Sequence, residues 1–153
     1  MNVNMCNPAA KPVMIYLAGP YRPYIIGSGC TVPTTVNILK AEEMAVSVVD
    51  QLYVHKMFPV TPHLNTAHFE HKTEGEIPDE YWLECTMELM RRCDAVLLIG
   101  EDAMRSSGTR AEVEEAKRLN IPVFNNLDHL VSSLRYHQTI EGERTVIITH
   151  PTI

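Results

Sequence analysis

The sequence predicts a single α/β domain, doubly wound, with a mainly parallel sheet of about five strands and helices on both faces. Two observations predict it. Val13 to Ala18 and Ala95 to Ile99 are apolar or aromatic throughout. Such runs are too short for a helix and too uniform for a half-exposed strand, which is the pattern of buried parallel strands. Between and after them lie longer stretches with apolar residues three and four apart, the spacing of one helix face. At 153 residues the chain has the usual size of one domain and enough length for a sizeable core.

Residues 1–12 are polar, proline-punctuated and aperiodic, as expected of a flexible tail. The first strand, Val13 to Ala18, is closed by Gly19-Pro20. Tyr21 to Val32, rich in Gly and Pro, is expected to be a mobile loop, and its glycines fit neither a Walker nor a dinucleotide pattern. Pro33 to Lys56 predicts a long helix capped by Thr34 or Thr35, with Ile38, Ala41, Ala45, Val48 and Leu52 on its buried face. Met57 to Thr61 is the next strand, with Pro62 to Asn65 at its end and a polar loop over Glu70 to Pro78.

A helix opens at Asp79 or Glu80 and runs to about Arg92. Glu88 and Arg92 form an i,i+4 pair on its solvated face. Leu83, Met87 and Met90, with Trp82, Leu89 and Cys93, are expected to pack inward. After the strand Ala95 to Ile99 and a loop over Glu101 to Gly108, a helix is expected from about Thr109 to Leu119, ended by Asn120. Ile121 to Phe124 is the next strand. Asn125-Asn126 caps a short helix whose buried stripe is Leu127, Leu130, Val131 and Leu134. Glu141-Gly142 turns the chain into a last strand, Thr145 to Ile148. Residues 13–135 thus form the α/β domain, Rossmann/flavodoxin-like in arrangement. Residues 136–153 are an extension whose strand covers a sheet edge or pairs with another subunit.

Composition narrows the function. Hydrophobic residues at 45% and charged ones at 21% are ordinary globular values. No apolar run approaches a membrane span and no signal pattern opens the chain, so the expected home is the cytoplasm, without a membrane partner. Cys6, Cys30, Cys85 and Cys93 lack CxxC or metal-like spacing and are expected to be reduced thiols. His63, His68 and His71 do not make a convincing zinc set. A net charge of −6 without a Lys/Arg block argues against a nucleic-acid polymer. A small anionic ligand still fits, because one arginine and a few amides suffice locally.

The candidate chemistry gathers where strands end. Ser106-Ser107-Gly108 precedes a helix with Glu112 just inside it. The plainer account of Glu112 is a capping box, with Thr109 as N-cap and Glu112 at N3. The functional account is a carboxylate at the C-terminal edge of a parallel sheet, where open α/β folds bind ligands. The serine hydroxyls, Gly108 and the helix-opening amides would then hold an anionic group. Arg22 and Arg110, on the bordering loops, would reach the same phosphate or point to solvent. His63 either contacts substrate at the sheet edge or makes a surface hydrogen bond. Tyr16 is either a core tyrosine with a local partner or part of the site.

The pattern Ser-x-Gly-x-x-x-Glu (Ser106, Gly108, Glu112) after an apolar strand, with Ile15-Tyr16-Leu17-Ala18-Gly19-Pro20 near the start, resembles the nucleoside 2-deoxyribosyltransferase family. It looks closest to that family's small bacterial and phage branch, and is also similar to 2′-deoxynucleoside 5′-monophosphate N-glycosidases. The likeness spans roughly Val13 to Phe124. It implies Glu112 as a nucleophile that forms a glycosyl ester, with Tyr16 orienting its carboxylate. It places Gly19, Pro20, Arg22, His63, Thr86, Ser106, Ser107 and Gly108 around a small-molecule nucleoside or nucleotide. It implies no cofactor and no metal, and a homodimer or higher homo-oligomer. One position departs from it: relatives often carry Asp eight residues before the aspartate that ends the helix, here Asp94, and this chain has Thr86. The rivals are a non-catalytic nucleotide-binding module that has lost the acid, and a structural subunit in which Glu112 only caps.

Overall fold

The computed structural model describes residues 11–138 and 144–151. The expected tail, apart from Lys11 and Pro12, and the Glu141-Gly142 turn lie outside the described residues. Strand β1 (Val13–Ala18) leads into a short antiparallel pair, β2 (Tyr24–Ile25) with β3 (Thr31–Val32), where a mobile loop was expected. Helix α1 spans Thr34–Leu52. Its N-cap is Pro33, which has no side-chain donor or acceptor, so neither Thr34 nor Thr35 caps it. A 3-10 turn over Tyr53–His55 follows, and Lys56 at φ 53° reverses the chain into β4 (Met57–Val60).

Two one-turn helices come next, α2 (Pro62–Asn65) and α3 (Phe69–Lys72), the second inside the stretch expected to be loop. Helix α4 (Asp79–Arg91), strand β5 (Ala95–Leu98) and helix α5 (Ser107–Arg118) form the middle of the chain. Asn120, at φ 60°, adopts the left-handed conformation that asparagine tolerates, and the chain turns into β6 (Val123–Phe124). Helix α6 (Leu127–Ser132) is capped by the Asn126 side chain, which accepts from His129 N at 2.9 Å. The hairpin β7 (Leu134–Gln138) with β8 (Arg144–Ile148) ends the described chain.

Four strands form one parallel sheet in the order β4-β1-β5-β6, flanked by helices and compatible with a Rossmann-like fold. Among the described residues this sheet has four strands where about five were expected. The Thr145 to Ile148 segment does not join this sheet: β8 pairs antiparallel with β7. Val146 and Ile148 of that hairpin pack against the same core cluster as α1 and α6.

Side chains of β1 alternate between two cores. Ile15 and Leu17 join Ala41, Ala45, Val48 and Leu52 of α1 with Leu127 and Leu130 of α6. Tyr16 and Ala18 join Met90 of α4 with Val113 and Ala116 of α5. The period of two in a strand sends neighbouring residues to opposite faces, so Tyr16 faces α5 while Ile15 and Leu17 hold α1. Two expected core residues lie outside: Leu83 is 56% and Val131 41% exposed. Asp94 fixes the start of β5 against β1, its Oδ2 accepting from Met14 N at 2.7 Å and its own N donating to Met14 O at 2.8 Å.

Candidate active site

Beyond the C-terminal ends of β1 and β5 opens a cleft of about 400 Å³. Of the residues singled out from the sequence as site candidates, Tyr16, Gly19, Pro20, Arg22, His63, Thr86, Ser106, Ser107, Gly108 and Glu112 line it and Arg110 does not. They come from β1 and its loop, α2, α4 and the start of α5, so the topology alone brings them together.

Glu112 lies on α5 above the last turn of β1. Its Oε1 accepts a 2.7 Å hydrogen bond from Tyr16 Oη, across 96 residues of chain. Burial pushes the Glu112 carboxyl up to about 7, and the Tyr16 bond pulls against that rise. Tyr16 itself is fully buried. Burial raises its phenol well above the ordinary value, the charge of Glu112 adds to this, and Thr86 acts in the opposite sense. The Thr86 hydroxyl also donates to Leu83 O at 3.2 Å within its own helix.

The capping box does not form. Helix α5 begins two residues earlier than expected, and its N-cap is Ser106, whose Oγ accepts from Thr109 N at 3.3 Å. Thr109 is therefore a first-turn residue, fully buried, with Oγ1 unpartnered among the described residues. Glu112 sits well past N3 and bonds Tyr16 instead of a helix-end amide. Ser107 and Gly108 occupy the first two helical positions. A Cβ built on Gly108 would meet the Leu83 side chain at 3.5 Å, an ordinary contact.

The loop after β1 is held from two sides. His63, 4% exposed, uses Nε2 toward Pro20 O at 3.0 Å and Gly19 O at 3.2 Å. Two carbonyl partners assign the proton to Nε2, and burial lowers the imidazole's affinity for a second one. His63 is thus a buried brace and not a surface residue. Asn37 of α1 donates through Nδ2 to Tyr21 O at 3.2 Å and Arg22 O at 3.1 Å. Gly19 is required by packing: a Cβ there would fall 2.9 Å from Ile99 Cβ.

Arg22 does not stand free for a phosphate. Its Nη1 donates to Glu70 Oε1 at 2.6 Å and its Nη2 pairs with Asp79, and all three line the cleft. Arg110 turns away: its Nη1 donates to Met104 O at 2.8 Å and Arg105 O at 2.9 Å. Arg110 is thus committed to closing the 3-10 turn over Ala103–Arg105, and does not line the cleft. Arg91 binds Glu115 Oε1 at 2.8 Å and ties α4 to α5, while the expected Glu88–Arg92 pair is present at 2.9 Å. No group of three or more His, Cys, Asp or Glu among the described residues is placed to hold a metal ion.

A family model described as a domain of unknown function, DUF7768, matches residues 13–126. The chain belongs to the DUF7768 family. No curated protein and no solved structure matches it. The DUF7768 match contains every residue of the cleft and ends before α6 and the β7–β8 hairpin.

Within this DUF7768 domain the sequence did not single out Asn37, Glu70, Trp82 and Leu83 for the site or its support. Asn37 carried a signal: it stands four residues before Ala41 on the buried stripe, a polar residue where an apolar one belongs. Trp82 carried none, because an indole on an amphipathic helix looks like core. It lines the cleft with Nε1 buried and unpartnered among the described residues, edge-on to Tyr81 at 5.1 Å.

Proposed function

We propose that the protein cleaves the N-glycosidic bond of a 2′-deoxynucleoside or its 5′-monophosphate through a covalent glycosyl ester on Glu112. The observation that carries this reading is the 2.7 Å bond from Tyr16 to Glu112 at the cleft between sheet and helix. A carboxylate held by one oxygen presents the other to C1′ of a sugar, the geometry a retaining mechanism needs. Glu112 attacks, the base leaves, and water or a second base resolves the ester. Ser107 and Gly108 at the start of α5 offer amides to the sugar or its phosphate.

The chain's own residues support further parts of the reading. The two cores, one with α1 and α6 and the other with α4 and α5, support a doubly wound arrangement. Exposed Val46, Val49 and Phe58 support a homo-oligomer, most simply a dimer. No described helix is long and apolar enough to cross a membrane.

The test is incubation with the four deoxynucleosides and their monophosphates, followed by chromatography for free base. Base release that disappears in Glu112→Gln is the expected result; no release from any substrate would sink the reading. The second reading, a nucleotide-binding module without turnover, draws on Thr86, a hydroxyl where an acid would serve. Tight nucleotide binding without base release would select it.

A further inference from the structure

We propose that the preferred substrate is an N-glycoside whose base already carries a positive charge, an N-alkylated purine or a pyridinium, so that the base departs without first being protonated. This rests on the glycosidic reading of Glu112 and adds the class of leaving group.

When the C1′–N bond of an ordinary nucleoside breaks, its electron pair passes to the ring nitrogen and makes an anion. A general acid that supplies a proton is worth roughly 10²–10⁴-fold. Among the described residues lining the cleft, no side chain is set to supply it. The carboxyl groups there are Glu112, Glu70 and Asp79. Glu112 is the nucleophile, and the other two face the Arg22 guanidinium as ion-pair acceptors. The Nε2 proton of His63 is held by Gly19 O and Pro20 O, and its Nδ1 is a buried acceptor. Thr86 donates to a backbone carbonyl, and a hydroxyl is no acid near neutrality. The phenol of Tyr21 is raised by burial and by Glu70, and that of Tyr24 donates to Asp102 Oδ2 at 3.3 Å.

The same inventory favours a cation. Glu70 and Asp79 set two negative charges against one on Arg22, which leaves that part of the cleft net acidic, while Arg105, the other arginine lining the cleft, is paired with Asp102 at 2.7 Å. Ionised Glu112 adds to it. Trp82, one turn before Thr86 on α4, gives the wall an indole, the aromatic ring that cations favour most.

The step balances without an acid. A Glu112 oxygen bonds C1′ and the C1′–N bond breaks. Its electron pair neutralises the ring's positive charge, and the base leaves as a neutral molecule. Water then attacks C1′, the ester bond breaks, Glu112 is regenerated as a carboxylate, and one proton goes to solvent.

The test uses the full chain with 2′-deoxyguanosine, 7-methyl-2′-deoxyguanosine and nicotinamide 2′-deoxyriboside. Base release is measured in each case as an enhancement over the rate in buffer alone. The expected enhancement for at least one cationic substrate exceeds that for 2′-deoxyguanosine by about a hundredfold or more. Which of the two is favoured separates purine from pyridinium, and Glu112→Gln abolishes release from both. An equal or larger enhancement for 2′-deoxyguanosine overturns the inference while leaving the glycosidic reading intact. Release from none of the three also overturns the inference, whereas the glycosidic reading falls only if all four deoxynucleosides and their monophosphates are inert as well.

Discussion

Tyr16 Oη donates to Glu112 Oε1 at 2.7 Å, and that bond opposes the effect of burial on the carboxyl while adding to it on the phenol. Desolvation alone would push the carboxyl higher still, and the phenol brings it back to about 7. A strand residue buried by the parallel sheet thereby sets the charge of a helix residue at the cleft. At neutral pH the carboxyl is near half ionisation, so the reactive form is present in quantity and rises with pH.

Glu112→Gln is expected to lose base release and to gain stability at high pH. The folded protein holds the Glu112 proton up to about pH 7, against an ordinary value of 4.5. Between those values the folded state binds more protons than the unfolded state. The contribution is therefore fully present below about 4.5, declines as pH rises, and is lost above about 7. That difference amounts to about 3 kcal/mol at most. Glutamine cannot ionise, so urea unfolding should find the two proteins alike near pH 4.5 and the variant more stable at pH 8. An equal loss at both pH values would show that the ionised carboxylate is not disfavoured by its site.

Tyr16→Phe removes the donor while keeping the ring in its fully buried slot. The Glu112 carboxylate loses a charge-assisted bond of about 1.5–3 kcal/mol. The variant's rising limb of base release against pH should move up from about 7 by one unit or more. An unmoved limb with a lower plateau would mean that Tyr16 packs the site without tuning it.

How far the site could be read in advance follows from what each residue does locally. That Tyr16 lies on a buried strand, Gly19 at its end and Glu112 on the helix after the next strand was legible, because apolar runs, a Gly-Pro stop and helical spacing are short-range marks. The N-cap of α5 stands three residues before Thr109: Ser106 and Thr109 are both residues that cap well, and only the fold decides between them. Leu83 was assigned to the core because helical spacing shows which residues share a face, not whether that face meets protein or a cleft. The β7–β8 hairpin was read as one edge strand, because Leu134 looked like the end of a helix stripe. Arg22 was placed near the site, but its acidic partners lie 48 and 57 residues away and leave no mark beside it.

Asn37→Ala should loosen the loop after β1. Its Nδ2 is the donor for the Tyr21 and Arg22 carbonyls, and both lose a partner together. Leaving part-buried acceptors without their protein partner costs about 1 kcal/mol. The expected pattern is a lower unfolding midpoint, a raised KM for the cleaved substrate, and a smaller change in kcat, because Asn37 touches the loop and not Glu112. A kcat that collapses with KM unchanged would contradict a positioning role.

Glu70→Gln combined with Asp79→Asn should create a phosphate preference. Arg22 has both guanidinium faces engaged by these carboxylates, and a 5′-phosphate must displace them before it gains a bond. Removing both charges leaves the arginine in place with only neutral neighbours to compete. Exposed ion pairs of this kind contribute about 0–1 kcal/mol to folding, so the double variant should unfold nearly as the parent does. A charge-assisted bond from Arg22 to phosphate is worth about 1.5–3 kcal/mol, which converts to about a tenfold or larger gain in affinity for a deoxynucleoside 5′-monophosphate. Affinity for the uncharged nucleoside should stay as it was, and the gain should shrink as salt is raised. Calorimetric titration with both ligands at two salt concentrations measures this. Should nucleoside and monophosphate gain alike, or neither gain, Arg22 braces the cleft and has no part in reading the substrate's charge.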